Sequence, residues 1–176
     1  MVRSTRFIFA PLAFLLGILL MPNHAAAQTD FSGTWAFNES KSTQPGGGGG
    51  GGRGGRGMGG GTSDLTITQD GNTITVKSMR QTRDGQQERI QIIIADGEAH
   101  EAENNFGTST ITANWKEGIL AVEETISMSR GGQSMTITTT SAYTLSEDGK
   151  ELVVTSERSG MGGREGVTTK NVYDKK

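Results

Sequence analysis

The sequence predicts an all-β protein, an antiparallel up-and-down barrel of about 8–10 strands, with a β-sandwich as the alternative. Three observations carry this. Apolar and polar residues alternate with period two along most of the chain beyond residue 30, the pattern of a sheet packed on one face and wet on the other. The alternating runs are separated by Gly-containing turns at Asp70-Gly71-Asn72, Asp84-Gly85, Asp96-Gly97, Glu117-Gly118, Gly131-Gly132, Asp148-Gly149 and Gly162-Gly163. Glycine there supplies the positive φ of tight hairpins. No stretch of useful length carries the 3.6-residue apolar period of an amphipathic helix. Consecutive hairpins close most simply into a barrel, which leaves no edge open to aggregation.

The strands follow in order. Phe31 to Asn38 is the first, with Phe31, Gly33, Trp35 and Phe37 on one face. Leu65 and Ile67 line the second, and Ile74 and Val76 the third. Ile90, Ile92 and Ile94 line the fourth, which turns Ile93 outward, as a partner contact or only as a strand end. Glu98 to Glu103 is a weak fifth, and Ile111, Ala113 and Trp115 line the sixth. Leu120, Val122, Glu124, Ile126 and Met128 share a face of the seventh. Met135, Ile137, Thr139, Ser141, Tyr143 and Leu145 share one on the eighth. Leu152, Val154, Ser156 and Arg158 share one on the ninth, and Val167 to Tyr173 is the tenth.

Ahead of the strands, Arg3 and Arg6 precede an almost wholly apolar run from Phe7 to Met21, then Pro22-Asn23 and Ala25-Ala26-Ala27. This reads as a signal peptide over residues 1–27, cleaved after Ala27. The apolar run is short for a membrane anchor, which needs about 20 residues. The expected mature domain is 28–176, periplasmic or secreted, with no stable membrane span after cleavage. It carries 15 basic and 19 acidic residues, a net charge of −4, and a single histidine, His100.

Composition excludes much. With no cysteine in the chain, disulfides, thiolate chemistry and Cys-ligated metals are unavailable. One histidine cannot make a multi-His metal site. The acidic balance provides no field for nucleic acid. No nucleophile, base and orienting group stand in a recognisable pattern, so the expectation is a protein that is not an enzyme, with no catalytic residue, metal or cofactor. His100, between Glu98 and Glu101, reads as a surface side chain. Four Thr-Ile-Thr triplets lack a constant interval, so they are strand alternation rather than a repeat.

Residues 45–62 form a Gly-rich loop between the first and second strands. Gly46 to Gly61 holds 13 Gly with Arg53, Arg56 and Met58, too little apolar surface to order itself. Two cations and no aromatic do not make a nucleic-acid segment. Gly-Met-Gly-Gly occurs at Gly57 to Gly60 and again at Gly160 to Gly163. Two methionines can ligate Cu(I), but coincidence among glycine-rich turns is the preferred reading.

Glu124 is the most informative polar residue. It lies in the apolar phase between Val122 and Ile126, where a lone carboxylate is expensive unless it is paired or reaches water. Arg158, in the apolar phase of strand nine, is the expected partner. Thr139, Ser141 and Ser156 share that phase. A cavity with a few convergent polar groups has this character. A pair near the barrel rim, simply solvated, is the other reading.

Phe31-Ser32-Gly33-Thr34-Trp35, followed by Asn38-Glu39-Ser40-Lys41-Ser42, resembles the Gly-x-Trp signature on the first strand of lipocalins and fatty-acid-binding proteins. Gln69-Asp70-Gly71-Asn72, the run Tyr143 to Lys150 and Val172-Tyr173-Asp174-Lys175 are similar to segments of small exported bacterial lipocalin-like proteins, mostly uncharacterised. The resemblance implies that Trp35 closes one end of the barrel. It also implies that a late cation packs across that ring, for which Arg158 and Arg164 are available though neither lies in a matching motif. The expected ligand is a small apolar or amphipathic molecule held by Trp35, Glu124, Thr139, Tyr143 and Arg158, with Ile92, Val122, Ile126 and Ile137 lining the interior. The rival is a filled barrel in the cell envelope that binds a partner through its Gly tract, outer Thr faces or Ile93.

Overall fold

A computed structural model describes residues 28–43, 63–82, 85–104, 107–130, 133–160 and 166–176. The expected signal segment 1–27, the Gly-rich loop 45–62, Arg164 and both methionines of the Gly-Met-Gly-Gly copies lie outside these residues.

Among the described residues ten strands form: β1 (Gly33–Phe37), β2 (Leu65–Asp70), β3 (Thr73–Thr82), β4 (Gly85–Ile94), β5 (Ala99–Asn104), β6 (Gly107–Lys116), β7 (Ile119–Arg130), β8 (Gln133–Leu145), β9 (Glu151–Arg158) and β10 (Val167–Lys175). They make one antiparallel sheet in the order β4-β3-β2-β1-β10-β9-β8-β7-β6-β5. It is a meander in which the first strand pairs with the last, at Trp35↔Lys175 and Phe37↔Tyr173. The sheet curls until β4 comes back against β6, giving a nearly closed barrel. The expected barrel is therefore present, with a seam between β4 and β5, the two end strands of the order, which do not pair.

Tight turns enforce the meander. Lys116 pairs with Ile119 across a two-residue turn in which Glu117 (φ 53°) and Gly118 (φ 79°) are both left-handed, the geometry that matches the twist of a hairpin. A Cβ on Gly118 would also stand 3.1 Å from the Thr29 hydroxyl, which donates to the Gly118 carbonyl at 2.7 Å. The only helical piece among the described residues is a 3-10 turn, Glu39–Lys41. It is capped by the Asn38 carboxamide oxygen, which accepts from the Lys41 amide at 3.1 Å.

Aromatic packing fills one end. Phe31 and Trp35 are fully buried, and the Trp35 indole N–H donates to the Phe31 carbonyl at 2.9 Å. Phe31 stacks on Trp115 with ring centroids 5.5 Å apart and leans on Tyr143 at 6.3 Å. Phe37 meets Tyr173 edge-on at 5.6 Å. Gly33 belongs to this cluster because its φ is +144° and a Cβ there would press on the Lys175 side chain at 3.4 Å. The cation expected over Trp35 is supplied by Lys175, whose Nζ lies 5.4 Å from the ring centroid. Arg158 instead sits at the far end of β9, eight residues from Lys150's turn by chain and opposite Val167 in register. Lys175 takes the position because it pairs directly with Trp35 across β1 and β10.

The fourth strand overturns one expectation. Ile93 is fully buried, while Ile92 is 57% and Ile90 52% exposed. Ile92 does not line the interior, Ile94 lies in the same outward phase, and Ile93 is no surface contact. The reason is register. Thr82 pairs with Gly85, which sets Ile74 opposite Ile93 and Val76 opposite Gln91. Directly paired residues share a face, so the inward side chains of β3 carry the odd-numbered residues of β4 inside. A slip by one residue would reverse the strand.

The register makes a sharp prediction. Ile93→Ala should destabilise the fold by about 2–5 kcal/mol through the cavity it leaves. Ile92→Ala should change stability by no more than about 0.5 kcal/mol. Urea unfolding of the two variants checks it, and the reverse ranking would place β4 in the other phase.

Candidate functional site

The inner face is layered along the barrel axis. Next to the aromatic end, the row Ala113, Val122, Ser141, Ser156 and Thr169 runs across β6 to β10. The Ser141 and Ser156 hydroxyls are hydrogen-bonded at 2.8 Å. The following row is Ile111, Glu124, Thr139, Arg158 and Val167. Farther from the aromatic end, Ile126 faces Ile137, and Met128 faces Met135. A polar belt thus lies between an aromatic floor and an apolar upper wall.

Glu124 is the centre of the belt. Its carboxylate accepts from the Ser109 hydroxyl at 3.0 Å and from the Gln91 carboxamide at 3.5 Å. The Arg89 guanidinium stands 3.8 Å away. The Glu124 side chain keeps 19% of its exposure, so it is neither sealed in nor free in water. The paired carboxylate expected from the sequence is present, but the cation brought to it is Arg89. Arg158 lies along the same row with Thr139 between it and Glu124. Arg89 and Gln91 reach Glu124 because the phase that exposes Ile90 and Ile92 turns these two polar residues inward. The Arg89 and Gln91 contacts run from β4 to Glu124 on β7 and so span the seam, where backbone pairing is missing.

Each of the other expected site residues faces the interior, in different layers. Trp35 is part of the closed end and is covered by its neighbours. Thr139 sits in the belt. Tyr143 is buried between belt and floor. Loss of hydration pushes its phenol up to about 12; the nearby Arg89 charge opposes this and Glu124 adds to it. Burial raises the Tyr173 phenol as well, and the neighbouring Tyr143 adds to the shift. The structure therefore gathers Glu124, Thr139 and Arg158 into one row and leaves Trp35 apart from them.

Sequence reasoning missed Arg89, Gln91 and Ser109. No local pattern marks them: their inward phase follows from the pairing that sets Gln91 opposite Val76 and Arg89 opposite Ser78. Trp115 is a further addition. Its indole N–H is buried and finds no acceptor among the described residues.

His100 is half-buried at the β5 end of the belt row, directly opposite Ile111, with Nε2 3.0 Å from both carboxylate oxygens of Asp96. The Glu98 backbone N–H, followed by His100, holds the Asp96 carboxyl below its usual range. Among the described residues no group of three His, Asp or Glu side chains is placed to hold a metal. No described helix is long and apolar enough to cross a membrane.

No protein-family model matches the chain, and no curated protein sequence does. The structure is similar to that of a secretary abundant heat soluble (SAHS) protein from Ramazzottius varieornatus, with a TM-score of 0.52 at 14% identity. The match covers 84% of this chain and 96% of that one. At this identity the likeness establishes the shared β-barrel fold.

The buried phenols give a test of the packing. The chain has only two tyrosines, and both have raised pKa values. A raised folded-state pKa contributes stability that is present below pH 10 and lost as pH climbs toward the folded value. Phenolate absorbance should therefore stay low through pH 10 and rise only together with loss of the β-sheet circular dichroism signal. A smooth titration centred on pH 10 in the folded protein would show the two rings to be solvated.

Proposed function

We propose that the protein is an exported, non-enzymatic binding barrel that holds one small amphipathic molecule in the half of its interior away from Trp35. The observation that carries this reading is the belt of Glu124, Arg89, Thr139 and Arg158 on the inner wall, above a floor already filled by aromatic rings. Polar and charged groups inside a barrel cost desolvation energy, and a ligand head group can return that cost as directed contacts. The layering favours one orientation. The head lies on the belt, and the apolar part lies against Ile126, Met128, Met135 and Ile137. The floor has no room for a tail, so a tail-down pose is disfavoured. Affinity comes from ligand apolar surface removed from water, about 25 cal/mol per Å², with Arg89 and Arg158 favouring an anionic head. The lipocalin-like barrel seen in the solved structure is consistent with such a role.

The test uses the full chain and a dansylated undecanoic acid, with energy transfer from Trp35 and Trp115 as the readout. Saturable one-to-one binding is expected. Arg158→Leu or Thr139→Val should weaken it by roughly tenfold, the worth of one charge-assisted hydrogen bond, while circular dichroism stays unchanged. A wild-type chain that shows no saturable transfer, and whose native mass carries no retained small molecule, would instead be the filled barrel, with the Glu124 cluster acting only to close the seam.

A further inference from the structure

We propose that the head group taken by the interior site is a dianionic phosphate monoester rather than a carboxylate, with Arg80 as a residue that sets this preference; the inference rests on the binding-barrel reading above. The register carries it. Val76 pairs with Gln91, Ser78 with Arg89 and Arg80 with Gln87. Directly paired residues share a face, and Val76 and Ile93 are buried in the core. Ser78, Arg80, Gln87 and Arg89 therefore continue the inner wall of the β3–β4 hairpin toward the end of the barrel away from the aromatic floor. That stretch of wall carries no apolar side chain among the described residues, and both arginines keep contact with water. On β7 and β8 the same half of the interior is lined by Ile126, Met128, Met135 and Ile137. One side of the mouth is cationic and the other apolar, as an amphipathic occupant requires.

Charge selects the head. Among the described residues, this half of the inner wall holds three guanidinium groups, Arg80, Arg89 and Arg158, against one carboxylate, Glu124. The chain as a whole has a formal net charge of −2, so the cationic excess is local. Glu124 offsets one cation through Arg89 at 3.8 Å. No carboxylate stands within ion-pair distance of Arg80 among the described residues. Arg80 and Arg89 are diagonal neighbours across the hairpin, about 7–8 Å apart. Two cations so placed repel each other, and their long side chains can close on one anion between them. A carboxylate head would neutralise only one of the two remaining charges. A phosphate monoester carries close to two at neutral pH and offers three strong acceptor oxygens, which guanidinium forks meet in pairs. Ser78, opposite Arg89 on the same wall, adds a hydroxyl donor.

The test is isothermal titration calorimetry of the full chain with decyl phosphate, decyl sulfate and decanoate, each below its micelle threshold, at about pH 8, where the phosphate is fully dianionic. The sulfate matches the phosphate in tail and oxygen geometry but carries a single charge. Decyl phosphate is expected to bind about tenfold more tightly than the other two. Arg80→Gln should erase that preference, weakening decyl phosphate about tenfold and decanoate much less, with the circular dichroism spectrum unchanged. Lys77→Gln removes a cation from the outer face of the same hairpin, opposite the exposed Ile90, and should leave all three affinities as they are. Equal affinity for phosphate and sulfate, or equal losses in the two variants, would overturn the head-group assignment while leaving an amphipathic ligand in place. Inorganic phosphate that binds as tightly as decyl phosphate would overturn it as well, since the tail would then add nothing. Failure of all three amphiphiles to bind would remove the binding-barrel reading itself, and the head-group assignment with it.

Discussion

In an antiparallel sheet, directly opposed residues lie on the same face, and each hairpin loop fixes which residues are opposed. Everything else in this barrel depends on that rule. A loop of two residues between Thr82 and Gly85 commits all of β4: Ile93 goes to the core, Arg89 and Gln91 to the inner wall, Ile90 and Ile92 to the outside. No side chain on β4 can choose independently. The strand's composition favours more isoleucine inside, but Ile74 and Val76 on the neighbouring strand outweigh it, because they are fully or nearly buried and cannot be turned outward.

The inverted strand connects two features that would otherwise look unrelated. The polar residues it turns inward meet Glu124 across the seam between β4 and β5, where the ladder of backbone hydrogen bonds is interrupted. The Gln91 side-chain bond and the Arg89 charge take over part of the work that a strand pair does elsewhere, while Ser109, on the neighbouring paired strand, holds the Glu124 carboxylate. Exposure of Arg89 limits the strength of that ion pair, since water and salt screen it. The same inversion leaves the isoleucines on the outer wall. One structural decision therefore sets both the chemistry of the interior and the character of one surface.

The closed end is organised differently, by shape rather than by charge. Gly33 leaves the space in which the Trp35 indole and the Lys175 stem lie side by side, and the indole N–H is satisfied by the Phe31 carbonyl. Phe31 then covers Trp115 and Tyr143. Pairing of the first strand with the last brings Lys175 over the ring. It ties the two halves of the meander together at the point where the floor is built.

The alternation of Leu120 through Met128, of Met135 through Leu145 and of Leu152 through Arg158 was legible without coordinates, because each strand has one clearly apolar phase. So were the all-β class, most turns and the inward direction of Glu124. The partner of Glu124 was not legible. It comes from a strand more than thirty residues earlier, brought close by the curl of the sheet rather than by any local pattern. Nor was the phase of β4, where Ile92, Ile93 and Ile94 are consecutive and offer no period to read; neighbouring strands decided it. The chain by itself determined which residues prefer strands and where it turns, since these are local properties of the backbone and side chains. The tertiary structure decided which faces meet, where Lys175 and Arg89 lie, and which isoleucines stay wet, because those outcomes follow from pairing between segments distant in sequence.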